Sequence, residues 1–246
     1  MISFKNAGMT LKLKKCHFAK ATVKFLGHDV GGGMRSPNLE KVEAIISIPE
    51  PSTKKLLKSF LGMAGYFRSF IPNYSDIVVS LTDLTKSKCR NLIKFSEREK
   101  EAFDKVKLEL CKCVDLYAPN YNKSFIIRTD ASDRAVGAIL SQKDDAGIEY
   151  PIAFASAKLS ETQRNWSTIA KECYSIVYAL KKFDVIVYMS HIDLFTDHSP
   201  LQYIVDSMPN SSKLMRWALF LTRYNITVFH IKGKDNLVAD FLSRCV

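Results

Sequence analysis

The chain of 246 residues is 47% hydrophobic, with 8 prolines, 10 glycines and no low-complexity tract, so it can fill a core along its whole length and long disorder is excluded. Its net charge of +11 is uneven: residues 1–120 carry 21 Lys+Arg against 12 Asp+Glu and residues 121–246 carry 15 against 13, which makes the front half the expected polyanion surface, although cations spread among acids also describe an ordinary solvated face. The six cysteines (16, 89, 111, 113, 173, 245) form no CxxC pair and no spaced histidine set, the opening M-I-S-F-K-N-A-G has no secretory core, and no stretch approaches the roughly 18 apolar residues of a spanning helix; a zinc site and a membrane partner are not expected, and a soluble protein of a reducing, intracellular compartment is.

In chain order, residues 1–35 open with T-L-K-L-K-K-C-H-F and V-K-F-L-G-H-D-V-G-G-G, which read as two short strands and a glycine turn. Two strands are too few to fold alone, so this segment is expected to be the tail of an upstream domain and the chain a fragment. Helical spacing follows: Leu39, Val42, Ile45 and Ile46 in one segment, a break at P-E-P (49–51), then Leu56, Leu57, Phe60, Leu61 and Ala64 in a second, with Ser52 or Thr53 as its cap. A third helix over about 75–86 and a fourth over about 97–112 complete a small helical module. Lys54, Lys55, Lys58 and Arg68 are its candidate nucleic-acid contacts, several of them sharing an exposed face, while Tyr66 and Phe67 are expected in its core.

From residue 123 the pattern becomes strands followed by helices. Strands are predicted at 125–129, 135–141 and 151–157, a long helix at 161–188, a strand at 192–197, a helix opened by Ser199 and Pro200, then helix 211–224, strand 225–231 and helix 236–244. Three antiparallel strands, a helix and further strand–helix units predict an α/β (α+β) mixed five-stranded sheet with flanking helices. Cys173 falls among helical apolar positions and reads as core.

Four carboxylates stand where burial alone would not place them. Asp130 ends the first strand of this half and Asp197 ends the fourth; Glu172 lies between Ile169 and Ile176 at the margin of the long helix's apolar stripe, and Asp240 follows Leu237 by three in the last helix. Turn chemistry explains an aspartate at a strand end equally well when each is taken singly. Together, acids at strand ends and on packed helices can converge, and such a cluster is costly unless cations occupy it. Two Mg²⁺ ions about 4 Å apart would answer that need and clamp a phosphodiester. No convincing Ser-His-Asp or Cys-His set competes.

The segments F-L-G-M-A-G-Y-F-R-S-F-I-P-N-Y-S (60–75), F-I-I-R-T-D-A-S (125–132), A-K-E-C (170–173), L-F-T-D-H-S-P-L (194–201) and A-D-F-L-S-R (239–244) resemble the thumb and RNase H portion of the Pol polyprotein of gypsy-type LTR retrotransposons, and C-H-F-A-K with V-K-F-L-G-H (16–28) resembles the palm segment just before the thumb. The resemblance implies a reverse transcriptase fragment: the C-terminal tail of the palm with the primer-grip region at 1–35, a helical thumb at 36–118 and an RNase H-like domain at 119–246. It implies an endonuclease that hydrolyses the RNA strand of RNA–DNA hybrids with two Mg²⁺ ions, for which Mn²⁺ can substitute. The thumb would grip template–primer duplex, and the palm and fingers would lie upstream. Asp130, Glu172, Asp197 and Asp240 then match the family's metal-binding, catalytic acids, and the implied location is a cytoplasmic particle or the nucleus.

Three departures qualify the resemblance. The span K-G-K-D-N-L-V (232–238) has no histidine where cellular enzymes carry one, which implies slower product release. Thr168, a further candidate nucleic-acid contact, replaces their asparagine one turn before the helix glutamate. The Y-x-D-D motif is absent, so this chain alone is not expected to polymerise DNA. The alternative is a catalytically inactive module, connection-like or domesticated, that binds hybrid without cutting.

Overall fold

The computed structural model describes residues 8, 10, 12, 16–196 and 212–230. The glycine-rich opening folds as a meander of β1 (Thr22–Phe25), β2 (His28–Gly31) and β3 (Met34–Pro37). Two-residue hairpin turns of the type that matches strand twist need positive φ at both central positions. Leu26 and Gly27, at 48° and 78°, supply the first turn, and Gly32 and Gly33, at 58° and 74°, the second. The strand expected just before the glycines is therefore a hairpin, its tip fastened by the Tyr66 hydroxyl, which donates to the Leu26 carbonyl. The strand expected at 10–18 falls partly outside the described residues, and its described part is not extended into a sheet.

Helices α1 (Leu39–Ile46), α2 (Lys54–Tyr66), α3 (Tyr74–Ile77), α4 (Val79–Leu84) and α5 (Glu97–Cys111) form the helical module, with a 3₁₀ turn at Arg68–Phe70. Thr53 caps α2 by accepting from the Leu56 amide at 3.3 Å, and Ser96 with Glu99 forms a capping box on α5. The helix expected over 75–86 is two short ones, because Val78 leaves helical backbone at φ −86°, ψ 6°. Leu57, Phe60, Phe70, Leu81, Val106 and Leu110 fill the module's core. Phe67 joins them as expected, but Tyr66 does not: it is half exposed, and its ring stacks on His28 at 5.2 Å.

Strand β4 (Leu116–Tyr117) returns to pair with β3, Tyr117 opposite Met34. The second sheet follows, with β5 (Phe125–Ala131), β6 (Ala135–Lys143), β7 (Glu149–Lys158), β8 (His191–Thr196) and β9 (Asn225–His230) in the order β7-β6-β5-β8-β9. The first three are antiparallel, and β8 and β9 run parallel to β5. Strand β6 is buried on both faces except at Lys143, which is why its run Ala135–Leu140 is apolar rather than alternating. Ala138 and Leu140 look toward α7 (Thr168–Val187), while Ile139, with Phe154 of β7, enters the core of the helical module.

The long helix expected over 161–188 is broken. Helix α6 (Glu161–Arg164) has Ser160 as cap, and α7 restarts under a second cap, Ser167, whose hydroxyl accepts from the Ala170 amide. Helix α8 (Ser212–Leu221) lies beside α7. The elements expected from Ser199 and Pro200 and at 236–244 lie outside the described residues.

Candidate active site

Strand β5 is apolar until Arg128 because Phe125 and Ile127 pack under α7; it then turns polar as it leaves the core. Asp130 stands at that exit, exposed and level with Gly137 of β6. Strand β8 runs parallel alongside, Phe195 level with Arg128, so both strands finish at the same edge of the sheet. Helix α7 packs across β5 and β6 from its second cap onward, and that restart sets Glu172 in the second turn, 4% exposed. Of the four expected carboxylates the structure thus places Asp130 and Glu172, on a strand end and on the helix packed against that strand. Asp197 and Asp240 lie outside the described residues.

Two charged pairs fix this region. Lys171, beside Glu172 and itself buried, donates to Asp133 at 2.7 Å, tying the start of α7 to the turn that follows β5. That bond holds the Asp133 carboxyl below the usual carboxylate range. Arg128 grips Glu149 of β7 through Nε and Nη2 at 3.2 and 2.9 Å, Ser141 of β6 donates to the same carboxylate at 2.6 Å, and the guanidinium lies 4.5 Å over the Phe195 ring of β8. One arginine, two residues before Asp130 on β5, thereby links four strands. Neither pair was read from sequence, although an arginine inside an apolar strand and a lysine abutting a helix glutamate were visible signals.

The donor chemistry fits Mg²⁺. Asp130 and Glu172 offer hard carboxylate oxygens. The neighbouring Cys173 thiol is pushed up to about 12, first by burial and then by Glu172, so it stays protonated and offers no soft ligand. Among the described residues no three acids, histidines or cysteines gather as a metal-holding group.

The expected nucleic-acid contacts separate. Lys55 and Lys58 are exposed and share a face of α2, and Arg68 is exposed about 15 Å further along, past the helix end. Lys54 is turned inward, its ammonium donating to the Lys86 carbonyl at 2.6 Å and the Ser87 carbonyl at 3.4 Å. Thr168 is exposed as the first residue of α7.

A mixed five-stranded sheet in this order, with α7 across it, Asp130 near a strand end and Glu172 on that helix, is the RNase H-like arrangement, and residues 120–224 match the family described as the RNase H-like domain found in reverse transcriptase. Solved structures of similar fold are the foamy viral protease-reverse transcriptase in complex with RNA/DNA hybrid (TM-score 0.75, 23% identity, 90% of this chain and 30% of that one) and in complex with dsDNA (TM-score 0.76, 23% identity, 90% and 47%). Along nearly its whole length the chain fits a region of a retrotransposon Pol polyprotein. It is 40% identical over 240 residues to the retrovirus-related Pol polyprotein from transposon 297 of Drosophila melanogaster, spanning 97% of this chain and 22% of that protein. It is 34% identical over 250 residues to the one from transposon gypsy of the same organism (97% and 24%), and 34% identical over 246 residues to the transposon Tf2-3 polyprotein of Schizosaccharomyces pombe (98% and 18%). The chain therefore spans about a quarter or less of the length of these relatives.

Proposed function

We propose that this chain hydrolyses the RNA strand of RNA–DNA hybrids, as the nuclease end of a reverse transcriptase whose palm and fingers lie upstream, inside the cell in a cytoplasmic particle or the nucleus. The observation that carries the reading is the burial of Glu172 on the helix packed against the strand that ends in Asp130. Carboxylates brought together on a strand end and the helix packed on it are the hard oxygen donors that a divalent cation takes. Asp130, Glu172, Asp197 and Asp240 would hold two Mg²⁺ ions, with Mn²⁺ as a substitute. When bound, the ions supply Lewis acidity at the scissile phosphate. The rest falls to the chain itself. Arg128 and Lys171 hold the strand and helix that present Asp130 and Glu172, Thr168 at the exposed start of α7 meets the RNA strand, and Lys55, Lys58 and Arg68 carry phosphates of the template–primer duplex.

A cleavage assay on end-labelled RNA–DNA hybrid with Mg²⁺ tests the proposal. The chain should cut the RNA strand, and Asp130→Asn or Asp197→Asn should abolish cutting while thermal unfolding stays unchanged. Full activity in either folded variant overturns the assignment. A wild-type chain that binds hybrid and never cuts it is instead the inactive binding module.

A further inference from the structure

Helices α7 and α8 leave a groove of about 420 Å³ on the side of α7 away from the sheet, and its walls carry Trp166, Tyr174, Lys181, Lys213, Arg216 and Trp217. The Lys213 ammonium sits 3.9 Å from the centre of the Trp166 ring and 5.2 Å from that of Trp217, and Lys181 lies 5.3 Å over Phe220. Trp166 is 5.5 Å from Tyr174 and 5.6 Å from Trp217, so the rings form one continuous wall. None of the lining residues is a carboxylate. Burial already pushes the Lys213 ammonium below its ordinary value, a bias that a bound anion would reverse.

Cations without acids, interleaved with large aromatic rings, suit one kind of occupant. Phosphates settle on the cations and unpaired bases stack on the ring faces, whereas a paired duplex offers no free base face. We propose that the α7–α8 groove binds an unpaired stretch of nucleic-acid strand. This goes beyond the cleavage reading: the carboxylates at the strand end would act on hybrid duplex, and the groove would hold strand that is not paired.

The chain supplies its own reporter. Its only two tryptophans, Trp166 and Trp217, both line the groove, so emission excited selectively at tryptophan observes nothing else. Titration with oligothymidylate of about 15 nucleotides, a length within the range of single-strand sites, should give a saturable change in emission. Trp217→Ala should weaken binding about tenfold, as removal of one stacking platform does. The exposed pair Lys181→Gln with Arg216→Gln, which leaves the rings in place, should lower the salt slope by about 1.4, at ~0.7 per phosphate neutralised on single strands. Oligothymidylate that binds by anisotropy without altering emission overturns the groove, as does an equal emission change with polyglutamate, or a slope unchanged in the double variant. Blunt hybrid serves as the companion ligand. Hybrid binding alongside a failed oligothymidylate titration overturns the groove and leaves the hybrid reading standing; an oligothymidylate response without hybrid binding supports the groove and removes the hybrid reading.

Discussion

The Arg128–Glu149 pair is the interaction whose removal says most about how the strand end is held. Both side chains are 15% exposed, so the charges feel little solvent screening. Burial alone would raise the Glu149 carboxyl, but hydrogen bonds from Arg128 and Ser141 more than reverse it and hold it below its ordinary value. Breaking a well-buried pair costs about 3–5 kcal/mol, and a hydrogen bond to a charged group contributes about 1.5–3 kcal/mol. Glu149→Gln keeps the shape and one acceptor, so about 2 kcal/mol is expected. Because the folded pKa lies below the unfolded one, this stabilisation is present above the usual glutamate range, ~4.3, and disappears as the pH falls through the folded value. Urea unfolding of wild type, Glu149→Gln, Arg128→Met and the double variant closes the cycle. The coupling should be about 2 kcal/mol at pH 7 and should be lost as the pH falls through the lowered folded value of Glu149. A coupling under about 0.5 kcal/mol at pH 7 would refute the claim that this pair locks the sheet.

Phe154→Ala should cost about 3–5 kcal/mol, as large aromatic truncations in cores do, and should separate two transitions that coincide in the wild type. Tryptophan emission reports α7 and α8 on the sheet, and hydrogen exchange at the amides of α2 and α5 reports the helical module; if the two still coincide and the destabilisation is under about 1 kcal/mol, Phe154 is not a shared core residue. Replacing Lys55, Lys58 and Arg68 by glutamine should flatten the salt dependence of hybrid binding by about 0.9 for each phosphate no longer neutralised, without change in folding. Lys54→Gln should leave that slope unchanged, since Lys54 is spent on the Lys86 and Ser87 carbonyls; an equal flattening would place it on the duplex after all.

The fold's order was legible because its signals are local. Apolar runs of strand length, Thr53 before a helical stripe, and the change of period near residue 123 each act over a few residues. What escaped was either finer or non-local. The break between α6 and α7 was written in two serines, 160 and 167, and in the polar run E-T-Q-R-N between them, which the strong apolar stripe of α7 overshadowed. Lys54 looked like its neighbours until a turn 32 residues away supplied carbonyls for it. Tyr66 looked like core because its role depends on a hairpin tip 40 residues earlier. At the site, Asp130 and Glu172 were readable as acids in unusual places, whereas Arg128, Lys171 and the aromatic groove acquire meaning only once β7, the 132–135 turn and α8 are brought beside them.

The double burial of β6 has a consequence for inheritance. Recombination can exchange any stretch of sequence, and a crossover near residue 118 delivers the whole five-stranded sheet from one parent. It would also separate Ile139 and Phe154 from Phe70, Ile71 and Tyr74, with which they share one core, and it would part Ser156 from the Ser75 amide it bonds at 2.8 Å and Lys158 from Asp83 at 2.7 Å. A chimaera joined there inherits two surfaces fitted to different partners. The unit that keeps this seam intact is thus larger than either half and runs from α2 to β7.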